Sequence, residues 1–261
     1  MKLIVLISCM HQKDDSIIRK SNIQTDAVVV NQCDKDEIIY YNFVNRKGQD
    51  CKVMFINTTE RGLSRSRNMA IANAWGDICY MCDDDEYLLD DYEDLITSAY
   101  REFPKTDIIT FALIRKNYNY PETAQKVGIK QILKTSSVQT TFRRMSIVNN
   151  GIEFDPKMGS GSGNGGGEEN KFLMDCRRKN LKMLYMPSVI AKVMTEDSLW
   201  FHGFDEKYFR DTFWAARRAL GPLLAFPYVF YWCLFRSRNF DIKLNKFQMI
   251  KYSLIGFFEE R

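Results

Sequence analysis

Four short runs early in the chain are almost wholly apolar: residues 2–7 (KLIVLI), 26–31 (DAVVVN), 51–56 (CKVMFI) and 77–82 (DICYMC). Runs of this length that are rich in branched and aromatic residues predict buried strands rather than helices. Helical patterns lie between them. Residues 14–23 place apolar side chains at helical spacing. TTERGLSRSRNMAIANAWGD predicts a loop entering a helix, with Met69, Ile71, Ala72 and Trp75 on its apolar side and Gly76 as its stop. A second helix is predicted at 92–103 and a fifth strand at 107–113. Strands alternating with helices predict an α/β, Rossmann-like, mostly parallel sheet flanked by helices. Ligands of such sheets lie beyond the carboxyl ends of the strands. Three polar clusters, 9–11, 31–36 and 83–86, fall at such ends and predict one site.

The second half is less regular. Residues 118–133 predict irregular or hairpin structure, and 137–142 (SVQTTF) a strand. GSGSGNGGG at 159–167 predicts a flexible loop, followed by Glu168, Glu169 and an apolar-periodic helix. Two short strands, 181–186 and 189–193, are predicted around Pro187. The glycine loop lacks the spacing of a P-loop and follows no clear strand. Cys79 and Cys82 are spaced CxxC without a second pair or a His cluster, so the seven cysteines predict reduced thiols rather than zinc.

Asp83, Asp84, Asp85 and Glu86 follow a buried strand with no turn residue between. Charges this close repel, and need solvent, a shifted protonation state or a cation. A solvated acidic loop is one reading. A hard divalent metal carrying a diphosphate is the other, and the position at the end of a strand favours it. The residues lack EF-hand spacing. Glu168 and Glu169 sit at a helix start, where the dipole favours ionised carboxylates; they could be capping charge or a catalytic base.

LSRSRNMAIANAWGDICYMCDDDEYL resembles the central motif of inverting family 2 glycosyltransferases with the GT-A fold, and GGGEENKFL, some 80 residues on, resembles that family's later acidic helix start. The resemblance covers about residues 1–198. It implies Mn²⁺ or Mg²⁺ held by Asp85, with Asp83 nearer the ribose and Asp84 between them at the nucleotide. It implies Arg67 near the diphosphate, with Arg61 and Arg65 as alternatives, and Asp34 at the uracil edge. It also implies Glu169 as catalytic base, with Glu168 as its alternative. Where the family often has a late metal-site histidine this chain has Thr195, so His202 becomes the substitute. Ser8-Cys9-Met10-His11 departs from the family's usual base-binding segment. The activity implied is transfer from a nucleotide-diphosphate sugar, a UDP-sugar first, to a hydroxyl of a lipid-linked glycan in bacterial surface-polysaccharide synthesis. Rival readings are a sugar-nucleotide nucleotidyltransferase, for which the first loop lacks glycine, and a catalytically silent binding subunit.

Net charge is +4, and from residue 201 onward ten Lys/Arg face six Asp/Glu, so the first 200 residues are neutral. Nucleic-acid binding would spread basic residues through the main body, and is not expected. The domains expected are therefore 1–200, the transferase, and 201–261, a helical basic and aromatic tail. Residues 219–235 (ALGPLLAFPYVFYWCLF) are uncharged, interrupted by proline and glycine, and flanked by arginines. They predict either interfacial membrane binding or a helix packed on the domain. The N-terminus reads as a first strand and not as a signal peptide. The location expected is cytoplasmic, peripheral on the inner face of the cell membrane.

Overall fold

The computed structural model describes residues 1–116, 118–194 and 203–261. The first half runs β1 (Leu3–Met10), α1 (Ile17–Lys20), β2 (Asp26–Gln32), β3 (Glu37–Val44), β4 (Asp50–Thr58), α2 (Leu63–Asn73), β5 (Ile78–Asp83), β6 (Glu86–Leu88), α3 (Tyr92–Glu102) and β7 (Ile108–Ile114). Then come β8 (Gln125–Lys126), α4 (Ile129–Ile132), β9 (Thr140–Arg143), α5 (Arg144–Val148), α6 (Glu168–Arg178) and β10 (Met183–Val193). Three helices follow: α7 (Glu206–Leu220), α8 (Pro222–Leu234) and α9 (Lys246–Phe258).

The ten strands among the described residues join one sheet, in the order β3-β4-β2-β1-β5-β9-β7-β10-β6, with β8 on β10. The four predicted apolar runs form its parallel centre, β4-β2-β1-β5. They are apolar throughout because both faces are covered. Ile4, Leu6, Val28, Val30 and Cys79 pack into one core, and Val5, Ile7, Val29, Tyr80 and Cys82 into the other. Cys79 and Cys82 therefore lie on opposite faces, as an odd spacing along a strand demands, and cannot share a zinc ion.

Several local expectations change. Residues 137–139 form a 3₁₀ turn, and the strand begins only at Thr140. The two strands expected around Pro187 are one strand, β10, with register shifts at Met186/Val189 and Val189/Ala191. A bulge lets the strand pass a residue that has no N–H to give. Helix α2 ends at Asn73, before Gly76. Gly76 is needed for another reason: a Cβ there would lie 2.7 Å from Cγ2 of Ile4. Of the apolar side foreseen for α2, Ile71 is buried, whereas Ala72 and Trp75 are exposed. The face that packs inward carries Ser64, Ser66, Arg67, Ala70 and Ile71.

The C-terminal helices share a core with the sheet domain. Phe209 and Phe213 of α7 are fully buried alongside Phe172 and Leu173 of α6. The uncharged run 219–235 is broken at Gly221, whose φ of 79° separates α7 from α8. Among the described residues no helix is long and apolar enough to cross a membrane.

Candidate active site

The strand register brings the three polar clusters to one edge. Ser8 of β1 pairs with Val30 and Asp83, and Asn31 of β2 pairs with Asn57 of β4. Asn31, fully buried, accepts the Gln12 N–H (2.9 Å) and donates to the Asn57 side chain (2.7 Å) and to the Gln12 carbonyl. This network fixes the loop after β1, where His11 takes a left-handed φ of 52°. Sequence reasoning missed it, because Asn31 and Asn57 show no motif apart.

Helix α2 leans on this edge through Ser66, whose hydroxyl bonds that of Ser8 at 3.0 Å. One residue on, Arg67 is only 1% exposed. Its Nη1 donates to Glu168 Oε1 at 2.8 Å, and its Nη2 to both Asp83 oxygens at 3.1 Å and to Ser137 Oγ at 2.7 Å. The guanidinium also lies 5.3 Å from the centre of the Phe154 ring. Burial alone would favour its neutral form, but Asp83 and Glu168 outweigh that and keep it charged. Its Nη atoms are taken up by two protein carboxylates and a hydroxyl, while its buried Nε has no hydrogen-bond partner among the described residues. What it does is join the acidic run after β5 to the start of α6.

The other expected cations and base contacts lie on the surface. Arg61 donates to Asp34 at 2.7 Å, and that aspartate's side chain is 91% exposed. Arg65 is exposed, beside Glu60 and the Arg61 carbonyl. Arg115 is a residue the sequence reading passed over. It follows β7 directly; Ile114 pairs with Lys192, and Lys192 with Tyr87, which sets Arg115 two strands from the acidic run. Two strand spacings are about 10 Å, most of which an arginine side chain covers. The signal was available, since Arg115 ends an apolar strand just as Asp83 does. Thr195 and His202 lie outside the described residues.

Asp84 is exposed, Asp85 half-buried and Glu86 only 2% exposed. Desolvation first, and the charge of Asp83 second, push the carboxyls of Asp84 and Asp85 above their ordinary range. The same two causes raise the Glu86 carboxyl well above its ordinary range; its Oε2 accepts the Asp83 N–H at 3.3 Å. Among the described residues no group of three or more metal-ligating side chains is gathered. A cation here would take one or two carboxylates and complete its shell from phosphate and water, as Mg²⁺ and Mn²⁺ do. Asp83 is turned to Arg67, so Asp85 is the carboxylate best left to bind metal. Asp84 and Asp85 fit such an ion, because a cation would relieve the repulsion from Asp83 that helps to raise both groups.

On the far side of Arg67, Gly167 has a φ of 91° and starts α6. Only glycine takes that conformation without strain, and it sets Glu168 and Glu169 on the first turn. The two then diverge. Glu168 is buried against Arg67, and a Cβ at Gly159 would lie 3.0 Å from its carboxyl carbon. Glu169 stays half-buried, and desolvation, followed by the charge of Glu168, pushes its carboxyl from 4.5 up to about 8. The expected dipole effect is outweighed, because a helix end contributes less than burial beside a like charge.

A ten-stranded mixed sheet with a parallel centre, an acidic run at its carboxyl edge and a carboxylate helix start facing it define a glycosyltransferase of GT-A fold. The chain belongs to glycosyl transferase family 2, whose model matches residues 15–158, more than half of the sequence. The structure is similar to that of Staphylococcus aureus TarS residues 1–349, at a TM-score of 0.65 and 16% identity over 98% of this chain and 80% of that one. The same protein in complex with UDP-GlcNAc aligns at a TM-score of 0.64 and 17% identity, covering 97% of this chain and 79% of that one. The mannosyltransferase PcManGT from Pyrobaculum calidifontis, in complex with GDP-Man and Mn²⁺, aligns at 0.57 and 13% identity over 97% and 73%. No curated protein matches by sequence.

Proposed function

We propose that the protein is an inverting, metal-dependent transferase that moves a sugar from a nucleotide-diphosphate donor, a UDP-sugar, to a hydroxyl of a lipid-linked glycan. The setting we infer is bacterial surface-polysaccharide synthesis at the inner face of the cell membrane. The observation behind this reading is the junction at Arg67, which holds the acidic run and the Glu168–Glu169 helix start on either side of one guanidinium. Donor and acceptor sites on the two sides would meet there.

In this reading Asp34 and the loop after β1 flank the base, and Asp85 holds Mn²⁺ or Mg²⁺ on the diphosphate. The metal, when bound, would neutralise charge on the departing phosphates. Arg115 supplies the mobile positive charge that Arg67 cannot. Glu169 takes the proton of the acceptor hydroxyl as its oxygen bonds to the anomeric carbon. The bond to the diphosphate breaks on the opposite face, so one displacement inverts the centre. A carboxylate suffices, since the hydroxyl becomes acidic only as the new bond forms.

Calorimetric titration of UDP and GDP, with and without Mn²⁺, tests the donor side. UDP binding that needs the metal is expected, and Asp85→Ala should weaken it by more than about 100-fold, since even groups supporting a ligand cost 10- to 100-fold. Arg115→Ala should weaken it by about 10- to 150-fold, the range of one hydrogen bond to a charged group. Neither nucleotide binding to folded protein would overturn the donor-site assignment. Binding of GDP alone would overturn the choice of uridine.

A further inference from the structure

Helices α8 and α9 bury one side against α7 and leave the other side bare. Leu223 is 89% exposed and Phe247 77%, with Phe226, Tyr231, Phe235 and Phe258 also exposed. Some of these rings touch: Tyr231 stacks on Phe235, and Phe226 and Phe258 both meet the buried Phe257. Large aromatic side chains left in water at this density mark a contact surface. The charges nearby are one-sided. Between residues 220 and 258 there are five bases, Arg236, Arg238, Lys243, Lys246 and Lys251, against Asp241 alone. Bare aromatics ringed by cations fit the headgroup layer of an anionic bilayer.

The same helices grip the glycine-rich loop. Gly256 of α9 packs directly on the Arg210 backbone of α7, too close for any side chain. Just past α9, Arg261 lies over the Trp214 ring and donates to Asp211 of α7 at 2.6 Å and to Asn164 of the loop at 3.1 Å. Gly165 of the loop sits where a Cβ would come 2.8 Å from that of Asp211. On its other side the loop holds the start of α2: the Leu63 N–H donates to Ser160 O at 2.9 Å, and the Ser64 hydroxyl to Met158 O at 2.8 Å. The loop is thus clamped between the α7–α9 unit and the helix that carries Arg67, and it leads straight into Glu168 and Glu169.

We propose that the exposed α8–α9 face seats on an anionic lipid surface and that this seating, passed through Arg261 and Asp211, orders the glycine-rich loop beside the carboxylate helix start. That lipid should thereby raise turnover rests on the transferase reading; the seating and the ordering do not. A loop that tightens further beside Glu168 and Glu169 at the membrane would favour transfer to membrane-borne acceptors.

The test is flotation of the full chain with phosphatidylcholine vesicles, with and without phosphatidylglycerol, paired with hydrogen–deuterium exchange. The protein should float with the anionic vesicles only. Phe247→Glu/Phe258→Glu should lower partitioning on the order of 100-fold, because two bare aromatics lose their apolar contact. Vesicles should slow exchange in residues 159–167 by about tenfold. Arg261→Ala should float like the parent yet show no slowing. Equal flotation of parent and double variant, or no flotation, would overturn the seating. Slowing that survives Arg261→Ala would overturn the relay. A concentration-dependent dimer in sedimentation velocity, abolished by the double variant, would assign the face to a second copy instead. Failure of UDP binding would sink the donor site and leave these readouts intact.

Discussion

Glu169→Gln is expected to cut kcat/KM by about 10²- to 10⁴-fold, the usual contribution of a positioned general base. Metal-dependent UDP binding should survive, because glutamine keeps the side chain's size and leaves the Glu168–Arg67–Asp83 bonds in place. The wild-type pH profile gives a second readout. A base must be ionised to act, and burial beside Glu168 holds Glu169 neutral until about pH 8. Activity should therefore rise as pH climbs through that value and level off above it. Stability runs the other way. A carboxyl raised from 4.5 to about 8 stabilises the fold fully below the lower value, and that contribution is lost as pH rises through the upper one. The glutamine variant should then be more stable than wild type in alkali, by about 1–2 kcal/mol once partial exposure is allowed for. A variant that keeps wild-type kcat/KM would remove Glu169 as the base. Glu168→Gln separates the two acids: it disturbs the Arg67 cluster, so its loss of activity should come with a loss of stability.

The second large effect is on folding. Arg67→Leu leaves the buried Glu168 and the partly buried Asp83 without their cation. Breaking a buried pair by removing one member costs about 3–5 kcal/mol, since the abandoned charge remains desolvated. For a chain of this size that is a fall in Tm of about 6–20 °C, read by calorimetry. Arg67→Lys should recover little. One ammonium cannot span the partners that the planar fork meets on both sides. Arg67→Leu/Glu168→Leu should recover a good part, as the second change removes the stranded carboxylate. A fall of less than about 2 °C in Arg67→Leu would mean that water reaches these carboxylates and that the junction is loose.

Much of the donor side was legible in the sequence. Residues 77–86 can be read locally, because an apolar run that ends without a turn puts its acids at the end of a buried strand. The start of α6 was legible too, from glycines giving way to Glu168, Glu169 and a helical period. The antiparallel β3 and β6 were not: β3 is exposed along most of its length and β6 has three residues, so neither shows a buried run, whereas β9 was expected from residue 137 and begins at Thr140. The tail was left between two readings, and the structure shows why each had support. One side of α7–α9 is core, and the other is bare aromatics.

The choice among arginines shows where local reading ends. Arg61, Arg65 and Arg67 stand four and two residues apart on one motif, and nothing in their spacing separates a surface charge from a buried one. Folding puts the first two at the rim and the third inside, where it meets Glu168 from 101 residues away. Glu168 and Glu169 are likewise the same residue type in adjacent positions, and only packing makes one an ion-pair partner and the other a half-buried acid with a raised pKa. By itself the sequence determined the parallel central strands, the longer helices beside them and which residue types stand at the carboxyl edge, because hydrophobic period and turn chemistry act over a few residues. Only the tertiary structure decided which charges are paired, which are desolvated and which remain free for a substrate. Those energies depend on the atoms packed around a group, and these come from distant parts of the chain.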